Sequence, residues 1–174
     1  MRFMSCRNNK KPYRVAIITA SDKGARGERT DASGALIEDM CQAQGMSVVS
    51  KVILPDNAQQ LRQEMMRIAD TGLADLILTT GGTGLSPTDC TPEATLAVAD
   101  RIVPGIPEAM RFFSLQTTKK AMLSRAAAVV RKQTLIINLP GSVRGVRENL
   151  SVIIDELPHA LGILTNADTE CGQP

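Results

Sequence analysis

Tryptophan is absent, and one tyrosine and three phenylalanines are all the Phe/Tyr/Trp rings in 174 residues. A base-stacking platform of the kind RNA-binding sheets present has almost nothing to draw on. The core must be built from Leu, Ile, Val, Ala and Met. Histidine occurs once, at His159, and the four cysteines, Cys6, Cys41, Cys90 and Cys171, form no C-x-x-C pair. That argues against a zinc site and for free thiols in a reducing compartment, the cytoplasm. No apolar run approaches a membrane span, and no signal-peptide core follows the first residues. Charge of one sign is also lacking: 20 basic against 18 acidic residues leave +2, too little to argue for nucleic acid. Neither a membrane nor a nucleic acid is an expected partner.

What remains is an ordinary globular chain, 43% hydrophobic and long enough for one domain with a substantial core. Residues 1–12 read as a basic, flexible leader, 13–165 as a single α/β domain, and 166–174 as a polar tail. The apolar run from Tyr13 to Ala20 reads as a buried strand. Asp31 opens an amphipathic helix carrying Leu36, Met40 and Ala43 at helical spacing, with Ile37 and Cys41 beside them, stopped by Gly45. Met46 to Leu54 reads as a second strand. A helix from about Ala58 to Ala69 buries Leu61, Met65 and Ile68, and a third strand runs from Asp75 to Thr80. Strands alternating with helices at this spacing imply βαβ crossovers and a parallel sheet.

Further on, Thr91-Pro92-Glu93 reads as an N-cap, a proline at the first helical position and an acid in the first turn, opening a helix that ends near Arg101. Another helix starts at Pro107. The runs Ala126–Val130 and Thr134–Leu139 read as two tightly joined strands, one antiparallel to the main sheet. The last helix presents Val146, Leu150, Ile153, Ile154 and Leu157 on one side until Pro158 kinks or ends it. The fold class expected is three-layer α/β/α with a mostly parallel sheet and one antiparallel strand.

Four loops follow strands in this reading: Ser21-Asp22, Pro55-Asp56, Gly81 to Asp89, and Pro140-Gly141-Ser142. In open α/β sheets ligands collect outside the carboxyl ends of the strands, where strand order reverses. Gly81-Gly82-Thr83-Gly84 is neither a Walker A loop, since no Gly-Lys-Ser/Thr follows, nor G-x-G-x-x-G. It reads either as a tight turn or as a backbone cradle for phosphate. Asp89 is either a local cap for the next helix or a functional acid. Asp56 is an ordinary turn residue, the N-cap of the second helix, or a functional acid. Two carboxylates beside a phosphate cradle suit Mg²⁺, which takes oxygen ligands and substrate phosphates. Cys90 and His159 read as structural, and Arg144 is the one cation beside the last turn.

These residues resemble the molybdopterin-binding family of molybdenum cofactor biosynthesis. The resemblance is carried by Thr80 to Gly84 with Asp89 and Thr91 to Ala94, together with Ile18 to Asp22, Asp31 to Gly34, Pro55-Asp56, Pro104 to Pro107 and Asn138 to Ser142. It extends from Tyr13 to about Leu164, and the compact adenylyltransferase members are the most similar. It implies a cytoplasmic homotrimer that transfers AMP from ATP to the molybdopterin phosphate, releasing pyrophosphate with Mg²⁺ present, ahead of a molybdenum-insertion protein. A carrier or scaffold that binds molybdopterin without turnover is the alternative. The resemblance makes Asp56 and Asp89 the functional carboxylates that organise metal and phosphate. It makes Gly81, Gly82, Thr83, Gly84, Pro140, Gly141 and Ser142 the lining of the nucleotide and pterin pocket, with Ser21 and Asp22 as a further ligand-facing stretch. One departure stands out: family loops commonly carry an arginine just before the loop acid, and here the residue is Thr88.

Overall fold

The structure, a computed structural model, describes residues 11–166. Cys6 and Cys171, and most of the expected leader and tail, lie outside the described residues. The chain forms β1 (Arg14–Ala20), a single turn α1 (Asp22–Ala25), α2 (Ala32–Ala43), β2 (Ser47–Leu54), α3 (Ala58–Asp70) and β3 (Leu76–Thr80). It continues through α4 (Thr91–Leu96), β4 (Arg101–Ile102), α5 (Gly105–Leu115), a 3-10 turn (Lys119–Leu123), β5 (Ala128–Arg131), β6 (Thr134–Leu139), α6 (Val143–Ile153) and α7 (Leu157–Leu164). The strands form one sheet in the order β2-β1-β3-β6-β5-β4. The pairs β1–β2, β1–β3 and β3–β6 are parallel, while β5 runs antiparallel to both β6 and β4.

Helices cover both faces, so the inner strands are buried and mostly apolar on both sides rather than alternating with exposed polar residues. In β1, Val15 and Ile17 join one core with Ile37, Cys41, Met110, Val146 and Leu150. Ala16 and Ile18 point the other way, to a core with Leu61, Met65, Ile68 and Val98. That strand period of two makes the three layers. Phe112 and Phe113 are both exposed, and the buried hydrophobic residues are aliphatic, Met or Cys.

Local sequence explains most boundaries. Asp31 caps α2, its carboxylate accepting from the Gly34 N–H at 2.9 Å, and Asn57 caps α3 through Gln60 N at 3.0 Å. Three expectations need correction. The helix after the glycine loop stops at Leu96, because the free edge of β5 offers the following backbone better partners. Asp100 N donates to Val130 O at 2.9 Å and Val103 N to Ala128 O at 2.8 Å, making Arg101–Ile102 a strand. Pro158 opens α7 in its first turn rather than ending α6, the position where a missing N–H costs least. In α2 the buried stripe is Ser33, Gly34, Ile37 and Cys41; Leu36 and Met40 flank it and Ala43 is exposed.

Candidate functional site

Strand order reverses between β1 and β3: the chain leaves β1 for β2 on one side and returns to β3 on the other. A crevice is expected at the carboxyl ends there. The four loops read from the sequence all lie along that edge, since β2, β1, β3 and β6 are parallel neighbours. Main-chain and hydroxyl bonds tie them together. Ser21 N donates to Leu54 O at 2.9 Å and Gly81 N to Leu139 O at 3.3 Å. The Thr80 hydroxyl donates to Pro140 O at 2.7 Å, and the Ser33 hydroxyl to Gly141 O at 2.8 Å.

The glycine loop is not a simple turn. Gly81 (φ 94°) and Gly82 (φ 65°) both occupy the conformation that side chains rarely adopt. A Cβ on Gly81 would come within 3.0 Å of the Ala20 carbonyl oxygen, and one on Gly82 equally close to the Thr91 hydroxyl. The two residues let β3 turn out across the end of β1 at a separation only glycine permits.

Asp22 and Asp56 lock their loops reciprocally: Asp22 N donates to Asp56 Oδ2 at 3.1 Å, and Asp56 N to Asp22 Oδ1 at 3.0 Å. Asp56 is therefore not the cap of α3; Asn57 is. Burial pushes the Asp56 carboxyl above the usual carboxylate range. The Asp22 N–H partly offsets this, while the charges of Asp22 and Asp89 add to it. Asp89 does not cap α4 either. Its Oδ2 accepts from Ser86 N at 3.2 Å, and Cys90 takes the N-cap position without a side-chain bond. The Cys90 thiol is raised by burial first and then by Asp56, Glu93, Asp89 and Asp22, so it has no thiolate character at neutral pH.

No group of three or more His, Cys, Asp or Glu among the described residues could hold a metal by itself. The donors present still fit Mg²⁺. Asp56 and Asp89 each use Oδ2 for a backbone N–H, which leaves Oδ1 as a hard oxygen donor on separate loops. Mg²⁺ is usually held by one or two carboxylates, with water and substrate phosphate completing the shell.

Two cavities open beside the loops. One of about 360 Å³ is walled by Ser21, Arg29, Asp31, Ser33, Thr80, Gly141 and Ser142. The other, of about 560 Å³, is walled by Thr83, Gly84, Pro140 and Ser142 together with Arg111, Ser114 and Arg144. Ser142 faces both, so a ridge of Thr80, Pro140 and Ser142 separates them. Asp22, Asp56, Gly81, Gly82 and Asp89 wall neither of these two. Of the expected residues, then, Ser21, Thr83, Gly84, Pro140, Gly141 and Ser142 line cavity space, and the acids stand on the loops alongside.

A family model described as "Probable molybdopterin binding domain" matches residues 16–159. The chain belongs to this molybdopterin-binding family. Among its relatives, the gephyrin of Dictyostelium discoideum is 41% identical over 162 residues, and the alignment takes in 87% of this chain but only 22% of that protein. The molybdopterin adenylyltransferase of Helicobacter pylori is 33% identical over 152 residues, 86% of each chain. The solved structure of the molybdopterin biosynthesis enzyme MoaB from Thermus thermophilus superposes with a TM-score of 0.84 at 46% identity, covering 88% of this chain and 97% of that one. The fold is thus the molybdopterin-binding fold.

Within that family fold, the structure adds residues that the sequence did not single out. Arg125 donates to main-chain oxygens of the glycine loop. The Ser114 hydroxyl is buried without a partner at the larger cavity. Neither has a local signal: the side-chain partners of Arg125 lie far away in sequence, and the wall that buries Ser114 beside the cavity is assembled from other segments. Arg144 reaches the larger cavity but pairs with Glu148 at 2.7 Å. Lys132 is at the opposite sheet edge, bonded to Asp100 and Asp70.

Proposed function

We propose that this chain is a molybdopterin adenylyltransferase, joining ATP and molybdopterin to give adenylyl-molybdopterin and pyrophosphate. The observation that carries the reading is the convergence of Asp56, Asp89 and the glycine loop at the strand-order reversal, alongside two cavities that share Ser142. Two adjoining cavities suit two substrates. The curated relatives of similar length support the same activity by name, and the carrier alternative is not favoured by them.

An oxygen of the molybdopterin phosphate attacks the α-phosphorus of ATP. The bond from that phosphorus to the bridging oxygen breaks, and the electron pair leaves with pyrophosphate. Such transfers depend on positioning and charge neutralisation, with little covalent work for the protein. Asp56 and Asp89 would hold a Mg²⁺ ion, which would supply charge neutralisation at the transferring phosphate. The loop amides near Gly82 to Gly84 orient phosphate oxygens, and the two substrates meet where the cavities adjoin at Ser142.

The protein acts in this reading as a cytoplasmic homotrimer, passing its product to a molybdenum-insertion protein. Phe112, Phe113, Leu115, Met122 and Leu123 on α5 and the adjoining 3-10 turn are exposed and available to a trimer interface. No helix among the described residues is long and apolar enough to cross a membrane. Incubation of the pure protein with molybdopterin, ATP and Mg²⁺ releases pyrophosphate in this account; release no greater than from Asp89→Ala refutes it. Light scattering should return the mass of three chains.

A further inference from the structure

The glycine loop between Gly81 and Asp89 has few internal supports. Ser86 N bonds the Asp89 carboxylate at 3.2 Å, Asp89 N bonds Ser86 O at 2.9 Å, and the Ser86 and Thr88 hydroxyls meet at 3.1 Å. These bonds shape a small turn, but all of them lie within residues 86–89. Leu85, Ser86, Pro87 and Thr88 are exposed. Thr91 N closes the base of the loop on Gly82 O at 3.1 Å, but the exposed turn, and with it the Asp89 carboxylate, is left to be held from outside.

We propose that Arg125 is the positioning residue of the glycine loop, fixing Asp89 for the transfer by clamping both ends of the loop at once. Its main-chain N–H donates to Thr83 O at 2.9 Å. Nε donates to Gly84 O at 2.7 Å, Nη2 donates to Asp89 O at 2.9 Å, and Nη1 pairs with the Glu93 carboxylate in the first turn of α4. One residue therefore joins the entry of the loop, its acid and the helix it leads into. A planar guanidinium presents N–H groups in fixed directions, and three of its nitrogens are engaged by three different groups here. A lysine ammonium cannot span that arrangement. The side chain is only 32% exposed, so these carbonyls would not simply exchange it for water. Thr88, at the position where the family loop commonly carries an arginine, contributes only its bond to Ser86. In this chain the cation at the loop comes instead from the segment that leads into β5.

The same segment supplies its own comparison. Arg131, at the far end of β5, makes an equivalent fork: Nε and Nη2 to Asp70 at 2.8 Å each, and Nη1 to Val98 O at 3.2 Å. It is the less exposed of the two, 18% against 32%. A merely structural arginine at 125 should behave like Arg131.

The role rests on the adenylyl-transfer reading, so the test has one arm that does not. Steady-state pyrophosphate release is measured for wild type, Arg125→Lys, Arg125→Ala and Arg131→Lys, alongside amide hydrogen exchange at Ser86 and Asp89. Displacing a loop acid by about 1 Å costs about 100-fold in rate, so kcat of Arg125→Lys should fall by 10- to 100-fold. The Mg²⁺ concentration for half-maximal rate should rise, and the Ser86 and Asp89 amides should exchange faster. Millimolar guanidinium should restore part of the rate of Arg125→Ala, and methylammonium should not. Arg131→Lys should lower the denaturation midpoint with kcat unchanged. Arg125→Lys with kcat within twofold of wild type, or guanidinium without effect, overturns the proposal. If wild type releases no pyrophosphate, the activity reading fails. Unchanged exchange at Ser86 and Asp89 in Arg125→Lys then overturns the clamp on its own, and faster exchange sustains it.

Discussion

Gly81→Ala tests the close approach on which the site is built. Gly81 has φ 94°, and an added Cβ falls within 3.0 Å of the Ala20 carbonyl oxygen, with the Ala20 carbonyl carbon at 3.4 Å. Both neighbours are backbone at the end of β1, so no flexible side chain can swing aside. Two costs add. Holding an L-residue in the left-handed region takes about 1–2 kcal/mol, and forcing a methyl into a filled contact takes about 1–3 kcal/mol more. Together these remove about 2–5 kcal/mol from a domain whose whole stability is typically 5–15 kcal/mol. Gly45→Ala isolates the first cost, because Gly45 has φ 75° and nothing within 4 Å of the added Cβ. Urea denaturation of both variants, with the slope checked for constancy, should place Gly81→Ala about 1–3 kcal/mol below Gly45→Ala. If the loop relieves the clash by moving about 1 Å, the stability gap narrows but kcat falls about 100-fold instead. A Gly81→Ala protein as stable as Gly45→Ala, with kcat within twofold of wild type, refutes the reasoning.

Four further outcomes follow from the same structure. The Asp56 carboxyl is raised by burial and by the nearby acids, so the native state binds more protons than the unfolded one between the ordinary aspartate range and the raised value. The contribution of Asp56 to stability is therefore full at low pH and lost as pH rises through that window; Asp56→Asn should flatten this decline in denaturation series across pH while abolishing pyrophosphate release. Activity of the wild type should have its acid limb above the ordinary aspartate range, moving to lower pH as Mg²⁺ is increased. Asn138 is fully buried and bonds Thr79 Oγ1 at 3.0 Å, Thr95 Oγ1 at 2.8 Å and Ala127 N at 3.1 Å; Asn138→Ala should cost about 3 kcal/mol or more, since each stranded partner costs about 1–3 kcal/mol, and a smaller loss by urea denaturation contradicts that network. Burial pushes the Cys41 thiol up to about 12, so peptide mapping after alkylation at pH 8 should find Cys41 unmodified in native protein and modified only after unfolding.

The layers of the fold were legible because each element carries its own period. The α3 stripe of Leu61, Met65 and Ile68 is buried as read, and β1, β3 and β6 are buried on both faces, mostly by aliphatic residues, as a covered parallel sheet requires. The misread boundaries have separate causes. Arg101–Ile102 leaves helix for strand because β5 has an unpaired edge, and residues 97–103 carry no sign of that edge. Pro158 reads as a stop in isolation, yet it starts α7, because proline suits a first turn as well as it ends a last one. Asp89 and Asp56 looked equally fit to cap helices; the caps fell to Cys90 and Asn57, one residue on, which left both carboxylates for other work.

By itself the sequence determined the aliphatic core, the βαβ alternation and the four loops at strand ends, since composition, period and turn residues are local properties. It also carried the family, through motifs spread along nearly the whole domain. Only the tertiary structure decided that β3 returns beside β1, which puts Gly81 against the Ala20 carbonyl and sets Asp56 within electrostatic reach of Asp89. Only the tertiary structure selected Arg125, whose side-chain partners lie 41, 36 and 32 residues away. Hydrogen bonds across such separations depend on the strand order of the assembled sheet, and no window of residues around position 125 encodes them.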